Sequence, residues 1–401
     1  MIASLRRYVR FFGITFFARR ERKHLLRDAA DWFVRRKFLK AAYSPEQKEQ
    51  ALSESISWLQ HAQDKMKDSG FGTYYITDGW TSSYPETSGY IIPTLLEYDH
   101  AAMRERCVAA AEWLLSIQKP GGGWQSLYVD HQRPEVVFNT GQVLRGLVAV
   151  YEETGEKRYL DAAAKACDWL ASVQEEDGSW QKYAFMKEKR VYDSYVDHPM
   201  LMVWKHTGNE KYREAAVRNL DWIITEKQQA NGWFADCDNT VRNNDRPILH
   251  TISYTIDGLI NSGLMLGETK YVLAGKKAAD KLLDIFNRQG WLQGRWDADW
   301  NGSEYMICTG CAQISIVWLT LYEVTLEEKY LLAASKMNDL LIFVQQRNYR
   351  ETADTRGALT GSYPLWGKYE PFGFPNWATK YFADALLAER KMKNLIKGNL
   401  Q

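Results

Sequence analysis

The sequence predicts an all-α fold, an (α/α)6 toroid of six helical hairpins preceded by an extra N-terminal helical segment. Three observations predict it. A turn motif recurs as "TGEKRY" (154–159), "TGNEKY" (207–212), "LGETKY" (266–271) and "TLEEKY" (325–330). Each copy joins an apolar helix to an amphipathic one such as "LDAAAKACDWLASVQ", so the unit is a hairpin that must stack on its neighbours to bury both faces. Aligned on that turn, Gln142 matches Tyr195, Tyr254 and Gln313, and the helix pattern extends the register to Tyr90 and Lys380, with spacings of 52, 53, 59, 59 and 67 residues. Units of that length fill the chain from about residue 50 to 395, as closing a ring of six requires.

Taken in order, residues 1–48 form a basic, aromatic N-terminal segment and residues 49–401 the toroid, read as a catalytic domain. Residues 1–40 hold twelve Lys or Arg against three acids; since the whole chain is at +1, the remainder carries about eight net negative charges. In "RRYVRFFGITFFARRERK" the basic residues bracket Phe11, Phe12, Phe16 and Phe17, a pattern suited to the headgroup region of an anionic bilayer. A helix docked on the body by its aromatics is the alternative. No run reaches ~18 apolar residues, and the start lacks the small-residue cleavage site of an export signal. A cytoplasmic protein, peripheral at the inner membrane face, is therefore expected. Five Cys, an odd number thinly spread, argue against a disulfide framework and for a reducing compartment.

Long Trp-bearing loops, among them "QKPGGGWQSLYVDHQRPE", "QEEDGSWQKYAFMKEKR", "QQANGWFADCDNTVRNNDRP" and "RGALTGSYPLWGKYEPFGFP", connect each outer helix to the next inner one. All fall on the side where the inner helices begin, so amide groups and dipole ends are expected to gather around a mouth that favours an anionic ligand. Trp124, Trp180 and Trp233 recur at one position and read as wedges between helices. Trp80, Trp296, Trp300, Trp366 and Trp377 break the pattern and are better platforms for a sugar.

The first turns of every inner helix are polar where a core face is due. They offer Glu86 and Tyr90; Asn139, Gln142 and Arg145; Tyr195, Asp197 and His198; His250, Tyr254 and Asp257; Gln313; and Asn376 with Lys380. One buried polar residue is ordinary; six sets in one register predict a shared pocket.

The loops "QKPGGGW", "QEEDGSW" and "QQANGW" resemble the glutamine and tryptophan repeats of the squalene-cyclase and prenyltransferase-like toroids, and the hairpins resemble the six-hairpin glycosidase superfamily. "YPETSGYIIPTLL", "FNTGQVLRGL", "TGCAQISIVWLTLYE" and "NWATKYFADALL" are similar to α/α-toroid proteins that occur with bacterial surface-polysaccharide assembly genes. The resemblance implies a carbohydrate ligand. The Asp-x-Asp-Asp run of a terpene cyclase is missing from "DCDN" and "DADW", which disfavours that chemistry. Cys308 and Cys311 are not read as a zinc site, nor Asp236, Asp238, Asp297 and Asp299 as more than solvated acidic turns; no metal or cofactor is expected.

Three activities fit this inventory. Hydrolysis needs a carboxyl pair, which Glu86 with Asp197 or Asp257 would supply. Abstraction of a uronate C5 proton needs the carboxylate neutralised, by Asn139, Gln142, Arg145 or Gln313, and a proton-transfer group among Tyr90, Tyr195, Tyr254, His198, His250 and Lys380. Binding without turnover needs only platforms and hydrogen bonds. Amides and tyrosines outnumber carboxylates at the register, so epimerase or lyase chemistry on an acidic surface glycan is the expected function, with hydrolysis and binding as alternatives. The glycan is free or lipid-linked; no nucleic-acid partner is expected. Tyr195, Tyr254, His198, His250, Glu86, Asp197 and Asp257 are the catalytic candidates. Tyr90, Asn139, Gln142, Arg145, Gln313, Asn376, Trp377, Lys380, Trp80, Trp296 and Trp300 are the substrate-binding candidates.

Overall fold

The computed structural model describes residues 2–13, 22–347 and 352–399. Helices α1 (Ile2–Phe12) and α2 (Arg22–Ala30) form the N-terminal segment. Outer and inner helices then alternate: α3 (Pro45–Asp64), α4 (Pro85–Tyr98), α5 (His100–Ser116), α6 (Val137–Thr154), α7 (Lys157–Ser172), α8 (Ser194–Thr207), α9 (Glu210–Trp222), α10 (Leu249–Leu266), α11 (Thr269–Gln289), α12 (Cys308–Thr325), α13 (Glu328–Arg347) and α14 (Asn376–Asn399). The even-numbered helices from α4 to α14 each pack on the next, and α14 returns to α4, so the ring closes.

The recurrent turn explains itself residue by residue. Thr154, Thr207 and Thr325 donate their hydroxyls to the carbonyl four residues back, and each accepts the amide two residues on. Gly155, Gly208 and Gly267 end the inner helix at φ +72°, +67° and +71°, a left-handed cap that glycine adopts without a Cβ penalty. The closing tyrosine then ties each outer helix to the one before: Tyr212 to the Ala164 carbonyl (3.1 Å), Tyr271 to Asp221 (2.8 Å) and Tyr330 to Asp280 (2.5 Å). The glutamines of the long loops do the same one layer up. Gln118, Gln174 and Gln228 each donate to the glycine carbonyl of their own loop and to the next outer helix, at Ala162, Ala215 and Ala274. Trp124 and Trp180 donate to carbonyls ten residues upstream and are buried wedges.

The sixth hairpin departs from the sequence expectation. No outer helix follows α14 in the described chain; its partner is α3, which packs on it from the other end of the domain. The toroid accordingly starts earlier than residue 49. Ser44 caps α3 through a box in which it accepts the Gln47 amide and Gln47 accepts the Ser44 amide.

Glycines set how tightly the ring draws in. A Cβ at Gly146 would stand 2.4 Å from the Gly89 carbonyl oxygen, and one at Gly89 would stand 2.5 Å from the Val143 Cα, so α4 and α6 touch backbone to backbone. Gly146→Leu must push the two helices apart, and overpacking of this kind costs about 3 kcal/mol or more. A lowered denaturation midpoint is expected; an unchanged one would show that the ring is looser than these contacts.

The N-terminal segment lies on the mouth side. Phe11 is fully buried and stacks on Phe372 at 4.2 Å, and Tyr8 donates to the Trp366 carbonyl, so α1 is docked on the body by its aromatics. Phe16 and Phe17 lie outside the described residues. No helix among the described residues is long and apolar enough to cross a membrane.

Candidate active site

The inner helices start beneath the long loops, and there a cavity of about 230 Å³ opens. Glu86 and Tyr90 reach it from α4, Phe138 and Asn139 from α6, His250, Thr251 and Tyr254 from α10, and Trp377 from α14. Loop residues Tyr84, Tyr128, Tyr192, Asn239, Tyr369 and Glu370 complete the walls. The first amide of three inner helices is not free to bind a ligand as expected: Val137, Leu249 and Cys308 donate theirs to the Tyr183, Gly294 and Gly361 carbonyls in the loop of the following repeat.

Glu86 is the carboxyl there whose proton affinity is visibly perturbed. It is 8% exposed, and burial pushes its carboxyl up to about 7, against a hydrogen bond from Tyr84 that works the other way. Asn139 Nδ2 donates to Glu86 Oε2 at 2.7 Å, which fixes the carboxyl across the α4–α6 contact. At neutral pH such a group is poised between donating a proton and holding a charge. Glu370 is the second carboxylate in the lining. Its Oε2 accepts from Tyr75 Oη (2.5 Å) and from Arg7 of α1 (3.0 Å).

The remaining groups are neutral. Burial depresses His250 to about 4, and its Nδ1 meets Gln313 Oε1 at 2.7 Å. An acceptor at that distance places the proton on Nδ1 and leaves Nε2 with a lone pair. Burial also raises the phenols of Tyr84, Tyr90, Tyr192, Tyr254 and Tyr369 well above their usual range, so they serve as hydrogen-bond donors rather than bases.

The six register residues converge on the lumen, but at two depths. Tyr381 extends its hydroxyl to those of Tyr195 and Tyr254, both at 3.3 Å, and its ring lies 5.4 Å from Tyr90. Tyr90 and Tyr254 line the cavity, and Tyr195 and Tyr381, outside its lining, complete the aromatic layer behind them. Beneath them sit Gln142, Arg145, His198, Asp257 and Lys380, which were expected in the pocket. Arg145 stacks on Tyr195 (3.9 Å) and donates to Gln142, His198 and the Tyr195 carbonyl. Lys380 pairs with Asp384 (2.5 Å), and Asp257 accepts from Asn261. The reason is helical rise: one turn carries a side chain about 5.4 Å, enough to cross the aromatic layer.

Other candidates lie elsewhere again. Asp197 is fully buried, outside the cavity lining, and burial pushes its carboxyl well up. Gln313 supports His250 without lining the cavity. Asn376 is spent on the carbonyls of Phe71 and Gly72. Trp80 stacks on Trp58 and donates to Asp354, Trp296 carries Trp233 on its carbonyl, and Trp300 donates to Asn231, so these three brace loops. Sequence reasoning missed Tyr84, Tyr128, Tyr192, Asn239, Tyr369 and Glu370, which lie outside the inner-helix register, several of them in the recurrent Trp-bearing loops. For Tyr369 and Glu370 the signal was the aromatic density of "YPLWGKYEPFGF".

With this geometry in view, the likenesses to known proteins become informative. Residues 116–287 match the family described as Glycosyl Hydrolase Family 88, a stretch that holds Asn139, His250 and Tyr254 but neither Glu86 nor Glu370. The fold is shared with an unsaturated glucuronyl hydrolase from Bacillus sp. GL1, responsible for glycosaminoglycan degradation (16% identity, TM-score 0.67, 85% of this chain and 96% of that one). A heparin-specific unsaturated glucuronyl hydrolase (12%, TM-score 0.66, 88% and 99%) and an α-amylase from Clostridium perfringens (10%, TM-score 0.64, 84% and 97%) have it too. A squalene–hopene cyclase of Zymomonas mobilis is 31% identical over 125 residues, which span 29% of this chain and 16% of the cyclase. The solved structures share the fold, and the family match supports a carbohydrate-active enzyme and favours a glycoside hydrolase over the proton-abstracting chemistry expected from sequence.

Proposed function

We propose that this protein is a glycoside hydrolase acting on an acidic, uronate-containing oligosaccharide. The observation that carries the reading is Glu86, a carboxyl lining the cavity whose affinity for a proton is raised to about 7. In the proposed reaction Glu86 donates its proton to the glycosidic oxygen as the C–O bond breaks, and Asn139 supports the carboxylate left behind. Glu370 takes the proton of the attacking water, whose oxygen ends on the anomeric carbon. Trp377 and the tyrosines offer faces and hydroxyls to the sugar. Proton abstraction at C5 is less well supported, because of the four residues expected to neutralise the uronate carboxylate only Asn139 lines the cavity, and it donates to Glu86. The resemblance to surface-polysaccharide toroids and the glucuronyl hydrolase likeness together set the panel: uronate-containing oligosaccharides, including chains with an unsaturated uronate cap, incubated in heavy water. New reducing ends without deuterium at C5 are expected. Deuterium at C5 without new ends would replace hydrolysis by epimerisation.

We infer further that the stretch after α2, rather than α1 with its docked aromatics, rests on an anionic bilayer, as the basic composition of residues 1–40 suggests. Phe33 and Val34 are exposed beside Arg35, Arg36, Lys37 and Lys40, an apolar and cationic mixture suited to headgroups. Phe33→Glu with Val34→Glu should abolish cosedimentation with phosphatidylglycerol vesicles. Undiminished sedimentation of that variant counts against the bilayer.

A further inference from the structure

We propose that helix α1 is part of the active site: Arg7 positions Glu370, and α1 walls a groove for the leaving-group side of the acidic glycan. The inference rests on the hydrolase reading above. Three independent features converge on it. Arg7 joins Glu370 (3.0 Å) to Asp78 (3.2 Å) and lies 3.4 Å over the Tyr75 ring, while Tyr75 donates to the same Glu370 oxygen. Glu370 itself has φ +46°, a left-handed conformation that costs a non-glycine residue about 1 kcal/mol or more and persists where the surroundings enforce it. Those surroundings are in large part α1, through Arg7 on the carboxylate and Phe11 on Phe372 two residues along.

The third feature is a groove of about 1090 Å³ that leaves the cavity at Asn239, Tyr369 and Glu370, residues common to both. Ser4, Leu5 and Tyr8 form its α1 side, and the rest of the lining sets the cations Arg242, Arg246, Arg295 and Lys368 against the carboxylates of Asp245, Glu304 and Glu370. A glycan whose cleaved sugar occupies the cavity must send its next units along this channel, where the cations outnumber the acids.

The groove is tested with the Glu86→Gln protein, whose turnover should be slow enough for binding to be read, by calorimetry with uronate disaccharides and hexasaccharides. Adding Ser4→Trp should weaken the hexasaccharide at least tenfold and leave the disaccharide within twofold; equal effects on both would overturn the groove. Positioning is tested in the otherwise wild-type protein. Arg7, Tyr75, Tyr128 and Tyr369 are the titratable or charged groups acting on Glu370. Arg7→Gln should lower kcat about 30-fold with KM for the disaccharide little changed, while Arg7→Lys restores most of the rate. An Arg7→Gln enzyme with unaltered kcat would make α1 a packing element alone. Failure of the wild type to cleave any glycan sinks the hydrolase reading instead. Amide exchange of residues 364–374 then decides the Arg7 contact by itself: faster exchange in Arg7→Gln upholds it and unchanged exchange overturns it.

Discussion

Glu86→Gln is expected to lower kcat by about 10³-fold and, at pH 8, to raise the melting temperature. The first effect follows from losing the proton donor, since a positioned acid contributes about 10²–10⁴-fold. The second follows from the same burial. A carboxyl whose folded-state affinity for a proton is raised from 4.5 to about 7 imposes no penalty on the fold below pH ~4, where it is protonated folded and unfolded alike. Between those values the unfolded chain releases its proton and the folded one does not, so stability falls as pH rises, by at most about 3 kcal/mol above pH 7. Gln keeps the shape and the hydrogen-bonding capacity and carries no charge. The variant should therefore match the wild type at pH 4 and exceed it by about 3 °C at pH 8 in calorimetry. The alkaline limb of wild-type kcat should fall near pH 7, as the donor loses its proton. A variant that is inactive yet no more stable at pH 8 would place the carboxylate in a more polar setting than its burial indicates.

What the sequence made legible was the part that repeats. Thr154, Gly155 and Tyr159 recur because the middle hairpins share a cap and a tie to the neighbouring helix, and repetition exposes such needs without any structure. The lumen register was legible for the same reason, and Glu86, Asn139, His250 and Tyr254 were reached through it. Depth was not. Sequence spacing tells which side of a helix a residue occupies, but whether Arg145 lies above or below a layer of four tyrosines depends on how far six helices slide along one another. The wall formed by Tyr369 and Glu370 was hidden for a different reason: it lies in a loop outside the inner-helix register, and the residue that holds Glu370 comes from position 7, 363 residues away. Nor could composition reveal that Asp238 is no solvated turn.

Replacing Asp238 by Ala should cost about 3–5 kcal/mol, the range for stripping one partner from a buried ion pair, and should disable the site as well. The side chain is fully buried. Its Oδ1 accepts from the Ile248 amide (3.0 Å) and Arg295 Nη1 (2.9 Å), and its Oδ2 from the amide and hydroxyl of Thr240 (3.0 and 2.6 Å). All of these are donors, so Asn, whose Nδ2 must face one pair of them, should be nearly as damaging as Ala. The functional loss follows from position. Ile248 is the N-cap of α10, two residues before His250, and Asn239 lines the cavity. One carboxylate thus sets the start of the helix that carries His250 and Tyr254 and the loop that faces them. Asp299, exposed in a loop of similar sequence, provides the contrast: Asp299→Ala should stay within about 0.5 kcal/mol of wild type. Chemical denaturation of the three variants checks the order. If Asp238→Ala unfolds with the midpoint of Asp299→Ala, the loop does not depend on this carboxylate, and the cavity must be held open by the tyrosine layer alone.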